Sequence, residues 1–496
     1  MKRSIVFVLW MMLSCTLTAQ KKIRITTYPG KTYQQIDNFA ASDAWSGQFI
    51  GNWPDNMRNA IADLLFSADT LADGSPKGIA LSMWRFNIGA GSAEQGDSSG
   101  IRDEWRRAAS FLQPDGSYNW NRQPGQLWLL KAAQQRGVKQ FLGFLNSPPV
   151  QYTVNGKAFA TGGRSNIDKS RYDTMSQFIT AVINGVKQAT GIAFDYISPV
   201  NEPQWDWSDG GQEGCPYNNE QISGIVKSLS KALQRAHLPT KILIPESGHI
   251  RYLLADDDKP GKGNQVNAFF QKGSGTFVGD LPGVSRTIAT HSYFSTSPQS
   301  SSVAVRSAVA ARIQAIDRLT LWQSEYCILG DNNGEINGNK RDTGMQAALY
   351  VARVMHTDLT VANVSAWQWW LAVSPYDYKD GLICIDKNKS GGSYQDTKML
   401  WVMGNYSRFV RPGMKRIAAE VDGATDCLVS AYRKPEERQT VIVLVNLGKN
   451  TYHYPLTAKK GKAYVTAASR RLQRQQVKDN MVVIEPESVT TIVTED

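Results

Sequence analysis

From residue 36 to about residue 410, the sequence alternates short apolar runs with longer stretches in which apolar residues recur at helical spacing. One helical stretch covers residues 124–136, opening with proline and closing before a glycine, and a second covers residues 172–186. Strands that alternate with helices in this way form parallel sheets. The predicted strands end near Ala41, Asn87, Leu145, Asn201, Pro245, His291, Gln323 and Trp369. Eight such strands predict an α/β fold, a closed (β/α)8 TIM barrel.

The C-terminal part of the chain has a different pattern. Beyond residue 413, runs rich in β-branched residues, such as 440–445 and 489–493, follow one another without helical stretches between them. They predict antiparallel strands of a small side β-sandwich. Residues 20–35 predict an N-terminal strand that joins this side β-domain. We therefore expect the catalytic barrel at residues 36–411 and the C-terminal β-sandwich at residues 412–496.

The first residues are typical of a secretory signal. Lys2 and Arg3 precede an apolar stretch, and small and polar residues follow as far as Ala19. We expect residues 1–19 to be a signal peptide and the protein to be secreted or periplasmic. The alternative is that Cys15 is lipidated, which would anchor the protein at the cell surface. No later stretch approaches the ~20 apolar residues of a membrane-spanning helix.

The charge distribution does not indicate a nucleic-acid partner. Residues 1–19 hold two basic residues and no acidic one, so their removal lowers the formal net charge from +11 to +9. The basic residues are scattered along the chain, as on a solvated surface. We expect a monomer whose partner is a polysaccharide or oligosaccharide.

The cysteines and histidines do not form a metal-binding pattern. No two cysteines form a CxxC pair, and the five histidines lack the spacing of metal ligands. We therefore expect no metal and no other cofactor. In an oxidising compartment one disulfide could form, or all the thiols could remain free and buried. After signal removal, the cysteines are Cys215, Cys327, Cys384 and Cys427.

Two glutamates stand at the ends of predicted strands. Glu202 lies in an Asn-Glu-Pro sequence after the apolar run 194–200, and Glu325 follows residues 319–322. They are about three β/α units of roughly 40 residues apart, which places them on strands four and seven of a barrel. Cleavage of an acetal needs one carboxyl group to protonate the leaving oxygen and another to act at the anomeric carbon. Glu202 alone would also suit an ordinary turn before proline.

Four further segments are similar to glycoside hydrolase family 30, and the similarity extends over nearly all of the chain. They are residues 36–43, 84–89, 146–149 and 406–413. The resemblance implies a TIM barrel with a side β-domain and a retaining double displacement. Glu202 would be the general acid/base and Glu325 the nucleophile. Residues 201–207 and 212–217 are most similar to the endo-β-1,6-galactanase branch, which implies a secreted enzyme that cleaves β-linked galactan.

The resemblance also implies roles for residues around the two glutamates. Arg85 would keep Glu325 ionised, because a nearby cation lowers the pKa of a carboxylate. Tyr293 would orient Glu325, His291 would line the pocket, and Asn201 would hydrogen-bond the sugar 2-hydroxyl. The other residues expected to bind substrate are Asp43, Trp45, Asn87, Asn146, Trp205 and Trp369.

Tryptophans near the predicted strand ends suit sugar binding, because pyranose rings present apolar faces that stack on aromatic side chains. Trp369 is predicted to be the platform at the cleavage point. Its neighbour Trp370 is then expected to face the core, because strand residues alternate sides. Asp43 could bind a sugar hydroxyl or cap a helix.

Two alternatives to a galactanase remain open from the sequence. Leu145 and Asn146 precede the Ser-Pro pair, where many family members have a tryptophan, so one pocket wall differs. The substrate could therefore be β-1,6-glucan, xylan or a β-glucoside, as in other members of the family. A protein of another class, a catalytically inactive carbohydrate-binding protein, could keep the same groove, although the presence of both glutamates argues against it.

Overall fold

The computed structural model describes residues 21–208, 210–434, 436–456 and 460–495. The predicted signal peptide at residues 1–19 and Cys15 within it lie outside the described residues.

Eight parallel strands form a closed barrel, which confirms the predicted TIM-barrel fold. Each strand pairs with the next, and the eighth pairs with both the seventh and the first. The strands are β1 (Asn38–Ser42), β2 (Met83–Asn87), β3 (Gln140–Phe144), β4 (Tyr196–Ser198), β5 (Lys241–Ser247), β6 (Val284–His291), β7 (Thr320–Glu325) and β8 (Ala366–Ser374).

The strands are buried on both sides, which is why their sequences are nearly continuous apolar runs. Strands β2 and β6 end at Asn87 and His291, the residues that the sequence predicts. Strand β4 ends earlier than predicted, at Ser198, because the next residue, Pro199, has no N–H to donate to a neighbouring strand. Strand β8 continues beyond Trp369 to Ser374.

A helix follows each barrel strand. The helix after β3 ends at Gly191, whose φ of 77° lies in the left-handed region that glycine adopts without a steric penalty. The helix after β4 begins with a capping box between Asn218 and Gln221. In chain order the helices are Asp55–Phe66, Pro124–Gln135, Tyr172–Thr190, Asn219–Arg235, Gln265–Phe270, Gln299–Gln314, Met345–Thr360 and Lys398–Ser407, with two short ones at Gly47–Ile50 and Ser92–Gln95.

A seven-stranded antiparallel sheet and a three-stranded sheet pack beside the barrel. The N-terminal strand of the larger sheet, Arg24–Gln35, pairs with Lys415–Asp422, so the chain enters and leaves the barrel from this sheet. The other strands of the larger sheet are Cys427–Lys434, Gln439–Asn446, Lys460–Ala467, Arg470–Gln475 and Ser488–Glu495. The smaller sheet contains Lys21–Lys22, Tyr452–Pro455 and Met481–Ile484.

The strand Gln439–Asn446 shows how the larger sheet buries both faces. Val441 and Val443 belong to the core that continues into the barrel helices, whereas Ile442 and Leu444 belong to a second core between the two sheets. This alternation follows from the two-residue period of a strand. The side domain is therefore fixed to the barrel through an apolar interface.

Three further features concern the expectations from the sequence. The loop after β8 contains two more strands, Gly381–Ile385 and Tyr394–Asp396, and the first of them extends the sheet at β8. Within the described residues, no helix is long and apolar enough to cross a membrane. The four cysteines after residue 19 are buried free thiols, so no disulfide forms among them.

Candidate active site

The two glutamates predicted from the sequence meet at the C-terminal end of the barrel. Glu202 follows β4, and Glu325 is the last residue of β7. One carboxylate oxygen of Glu202 and one of Glu325 lie within 4.8 Å of each other. Both residues line a cavity of about 1090 Å³, and both are largely buried.

The backbone at Glu202 is held in an uncommon conformation, with a φ of 43°. A non-glycine residue in the left-handed region costs about 1–3 kcal/mol and persists only where its surroundings determine it. Here the Glu202 N–H donates to the Glu246 carbonyl at 2.8 Å, and the Trp207 indole N–H donates to the Glu202 carbonyl at 3.0 Å. These contacts direct the Glu202 side chain toward Glu325.

Two side chains hold the carboxylate of Glu325. The Arg85 guanidinium donates from Nη1 to Oε2 at 3.1 Å, and the Tyr293 hydroxyl donates to Oε1 at 3.0 Å. Arg85 is fully buried and stacks on the Phe144 ring at 4.5 Å. Burial raises the pKa of Glu325, while the positive charges of His291 and Arg85 lower it. Arg85 therefore opposes the effect of burial, but burial prevails, so the pKa of Glu325 lies above its ordinary value.

His291 lies beneath the pair and contacts three carboxyl groups. Its Nδ1 is 2.9 Å from Glu202 Oε1 and 3.7 Å from Glu325 Oε1, and its Nε2 is 3.2 Å from Glu246 Oε2. Burial lowers the pKa of His291, but the charge of Glu325 and the hydrogen bonds with Glu202 and Glu246 outweigh it and raise that pKa to about 10. His291 is therefore an imidazolium at neutral pH, and each ring nitrogen donates to a carboxyl oxygen.

The protonation of His291 also bears on metal binding. Glu202, His291 and Glu325 each place one potential ligand atom within 4.8 Å of the others. A metal ligand must be a neutral imidazole, however, because the imidazolium has no free lone pair. The cluster therefore fits a set of paired charges better than a metal centre.

Glu246, in β5, is a member of the cluster that the sequence reading missed. It is fully buried and accepts hydrogen bonds from His291, from Ser198 Oγ at 2.6 Å and from Ser324. Arg85 Nη2 lies 3.9 Å away. Burial raises the pKa of Glu246, but these contacts outweigh it and lower that pKa to about 2. A signal was present, because this glutamate directly follows the strand end predicted near Pro245.

Comparison with known proteins agrees with this geometry. The model of O-glycosyl hydrolase family 30 matches residues 20–384. The chain belongs to this family. It is 23% identical over 413 residues to an endo-β-1,6-galactanase of Hypocrea rufa, a match that spans 80% of this chain and 76% of that protein. Family 30 membership makes the protein a glycoside hydrolase that acts on a polysaccharide.

Two solved structures also resemble the chain. A conserved exported protein from Bacteroides fragilis superposes with a TM-score of 0.87 at 35% identity, over 96% of this chain and 100% of that one. The catalytic domain of a family 30 xylanase C from Talaromyces cellulolyticus superposes with a TM-score of 0.69 at 21% identity, over 95% of this chain and 100% of that one. The second likeness concerns the fold alone.

The cavity brings together half of the site residues predicted from the family 30 resemblance. Trp45, Asn201, Trp205 and Tyr293 line it with the two glutamates. The others lie behind its wall, buried among the strand ends. These are Asp43, Arg85, Asn87, Asn146, His291 and Trp369.

Three of the buried residues have contacts that bear on their predicted roles. Asp43 neither lines the cavity nor caps a helix. Its Oδ1 accepts from the Asn87 N–H at 2.8 Å and from Gln126 at 3.0 Å, and burial raises its pKa to about 7. Asn87 Nδ2 and both amide atoms of Asn146 have no hydrogen-bond partner within the described part of the chain. These two amides remain available to a ligand or to water.

The prediction for Trp369 is wrong, and Trp370 lines the cavity instead. Trp369 is fully buried and donates its indole N–H to the Asp380 carbonyl at 2.6 Å. It shares a face of β8 with Trp367, which donates to Asp358 in the helix Met345–Thr360. Strand residues two apart share a face, so Trp370 belongs to the opposite one. The sequence predicts that successive residues of β8 alternate sides, but it does not predict which side faces the cavity.

Several residues of the cavity wall were not predicted as site residues. They lie mostly in the loops after β2, β6, β7 and β8, where no regular periodicity relates sequence to position. The main ones are Arg106, Phe294, Cys327, Trp370, Tyr376 and Asp380.

Proposed function

We propose that the protein is a secreted, retaining endo-β-1,6-galactanase in which Glu202 is the general acid/base and Glu325 the nucleophile. The approach of one oxygen of each glutamate to within 4.8 Å carries this proposal. Retaining glycosidases separate their two carboxyl groups by about 5–5.5 Å, whereas inverting enzymes need about 6.5–9.5 Å to admit a water molecule. The short separation favours direct attack on the sugar.

The contacts of the two glutamates support different roles. Glu325 receives hydrogen bonds on both carboxylate oxygens, from Arg85 and from Tyr293, which orient an anionic nucleophile. Glu202 has the more exposed side chain, 9% against 4%, and lies beside Trp205 in the cavity wall. Glu202 is therefore the better placed of the two to reach the oxygen of a departing sugar.

The reaction then has two displacements. In the first, Glu325 attacks the anomeric carbon while Glu202 gives its proton to the glycosidic oxygen, so an ester to Glu325 forms and the leaving sugar departs with a new hydroxyl group. In the second, Glu202 takes a proton from water, the water oxygen attacks the anomeric carbon, and the ester bond breaks. Two inversions retain the β configuration. Asn201 lines the cavity, and its Oδ1 has no hydrogen-bond partner among the described residues, so it is free to accept from the 2-hydroxyl.

The choice of β-1,6-galactan rests on the sequence similarity to the Hypocrea rufa enzyme across most of the chain. The aromatic residues Trp45, Trp205 and Trp370 give the cavity the stacking surfaces that any pyranose chain needs. Secretion rests on the signal-like residues 1–19.

A substrate panel tests the specificity. The purified protein is incubated with β-1,6-galactan, β-1,6-glucan and glucuronoxylan, and product lengths are followed over time. We expect early release of mixed-length oligosaccharides from galactan, as internal cleavage produces. Faster cleavage of glucan or xylan would replace galactan as the substrate and leave the catalytic assignment intact.

Variants of the two glutamates test the mechanism. Glu325→Gln should lower turnover by about 10³-fold or more while nearly preserving ligand binding. On an activated aryl β-galactoside, Glu202→Ala with azide should yield the β-galactosyl azide, because azide attacks the glycosyl-enzyme. Glu325→Ala with azide should yield the α-azide by direct attack. The opposite pairing of anomers would reverse the assigned roles, and unchanged turnover of Glu325→Gln would refute them.

A further inference from the structure

One wall of the cavity takes no part in the bond-breaking steps above. It consists of Trp45, Arg106, Trp370, Tyr376 and Asp380, from β8 and the loops after β1, β2 and β8, and we call it the Asp380 wall. The guanidinium of Arg106 lies 5.1 Å from the Trp45 ring and 5.0 Å from the Tyr376 ring. Trp45 also meets Trp370 edge to face at 5.3 Å. The wall thus joins aromatic surfaces to one cation and one carboxyl group.

Asp380 has an unused acceptor in this wall. The residue is 7% exposed, and its Oδ1 is buried without a hydrogen-bond partner among the described residues. Buried polar atoms in native proteins nearly always have a partner, so such an atom in a binding cavity indicates a ligand or water. Burial raises the pKa of Asp380 to about 6, against the opposing effects of Ser374 and Arg106. At neutral pH its side chain is therefore mainly a carboxylate, which only accepts hydrogen bonds.

Asp380 lies near the reacting centre. Asp380, Cys327 and Glu325 line the same cavity. Glu202, which protonates the departing oxygen, is followed closely by Trp205 in the loop after β4. Under the proposed mechanism, the departing sugar is then expected toward Trp205, and the sugar that becomes bonded to Glu325 is expected toward the Asp380 wall.

We propose that Asp380 binds the hydroxyl groups at C3 and C4 of the galactose whose glycosidic bond is broken. The assignment rests on the proposed function, because it follows by elimination in a β-1,6-galactan. The 2-hydroxyl pairs with Asn201, and O6 carries the preceding sugar of the chain. Only the hydroxyls at C3 and C4 remain. In galactose the 4-hydroxyl is axial, whereas in glucose it is equatorial and points in a different direction. A carboxylate positioned for the 3-hydroxyl and an axial 4-hydroxyl would therefore favour galactose.

The test compares a parent substrate with analogues that lack one hydroxyl. For the wild type, kcat/KM should fall by about 10- to 100-fold from 4-nitrophenyl β-galactoside to its 4-deoxy analogue, the range for a hydrogen bond to a charged acceptor. In Asp380→Asn this difference should shrink to a few-fold. The 6-deoxy analogue serves as an internal control, because its effect should be the same in both proteins.

Asp37→Asn provides a matched control. Asp37 is a mostly buried carboxyl group just before β1, at the opposite end of the barrel, where it accepts from Trp322 at 2.8 Å and from Ser365 at 2.7 Å. Its removal should leave the ratio between parent and 4-deoxy substrate unchanged, even if it lowers the melting temperature.

Two outcomes overturn the proposal. A wild type that does not distinguish the parent from the 4-deoxy substrate refutes it without any variant. An Asp380→Asn protein that folds and keeps the wild-type ratio refutes it as well. If the wild type cleaves glucan or xylan instead of galactan, galactan is refuted as the substrate, but the role of Asp380 is not. Deoxy analogues of the sugar that is cleaved then decide whether Asp380 binds its hydroxyls, and a wild type inactive on all three polysaccharides ends both proposals.

Discussion

Replacing Glu246 with glutamine removes the central negative charge beneath the catalytic pair while keeping the shape of the side chain. Glu246 is fully buried, 3.2 Å from His291 Nε2, 2.6 Å from Ser198 Oγ and 3.9 Å from Arg85 Nη2. Glutamine can still accept from Ser198. It cannot balance the two cations, so both the stability of the barrel and the protonation of His291 should change.

The pKa of Glu246 gives the size of the expected loss of stability. Its contacts lower that pKa from 4.5 to about 2 in spite of burial. A difference of about 2.5 pH units corresponds to about 3 kcal/mol at 1.36 kcal/mol per unit. Because the folded-state pKa lies below the ordinary value, this stability is present above pH 4.5 and is lost as pH falls through about 2. The Glu246→Gln protein should therefore be less stable by about 3 kcal/mol at pH 7.

The pKa of His291 should fall in the same variant. In the wild type it is about 10, above its ordinary value, so the stabilising contribution is full below pH 6.5 and is lost as pH rises through about 10. Part of this contribution comes from the same contact with Glu246. It is therefore not an additional loss of stability in the Glu246→Gln protein. Without Glu246, the imidazolium loses the anion at Nε2. We expect the alkaline limb of the pH–activity profile to move to lower pH.

Urea unfolding at pH 7 and initial rates between pH 5 and 10 measure both effects. Glu213→Gln is the matched control, because Glu213 is also a buried glutamate but burial raises its pKa to about 7. Glutamine there replaces a group that is partly neutral at pH 7, so the loss of stability should be smaller. A Glu246→Gln protein within about 1 kcal/mol of the wild type, with an unmoved alkaline limb, would refute this account of the cluster.

Further variants test individual buried or cavity-lining residues. Tyr293→Phe removes the 3.0 Å hydrogen bond to Glu325 and should lower kcat/KM about 10- to 100-fold, at the ~1.5–3 kcal/mol of a bond to a charged group, with the melting temperature nearly unchanged. Trp370→Ala should raise KM, measured by steady-state kinetics, because Trp370 lines the cavity. Trp369→Ala should instead cost about 3–5 kcal/mol of stability, measured by urea unfolding, because Trp369 is fully buried. Since burial raises the pKa of Glu213 to about 7, wild-type stability should fall as pH rises from about 4.5 through 7, and Glu213→Gln should remove that slope in melting temperatures measured against pH.

The sequence predicts the features of the site that follow from the regular arrangement of parallel strands. Parallel barrel strands bring their C-terminal ends to one face, so strand-end carboxylates at positions 202 and 325 could be expected to meet there. Which side of a strand faces the cavity is set by packing, and this is where the choice of Trp369 over Trp370 fails. Asp380 lies in a loop whose path depends on the strand Gly381–Ile385 pairing with β8, a contact that no local pattern encodes.

The charges around His291 give Glu246 a reason to be present. The proposed mechanism requires a neutral Glu202 and an ionised Glu325 at rest. With Arg85 and His291 positive and Glu246 negative, the cluster then has no net charge. In the glycosyl-enzyme, Glu325 is an uncharged ester and Glu202 is a carboxylate, and the net charge is again zero. His291 Nδ1 faces both glutamates, at 2.9 Å from Glu202 and 3.7 Å from Glu325, and can balance whichever is ionised without moving. Without Glu246, both states would carry an uncompensated positive charge in a buried site, which opposes the protonation of His291.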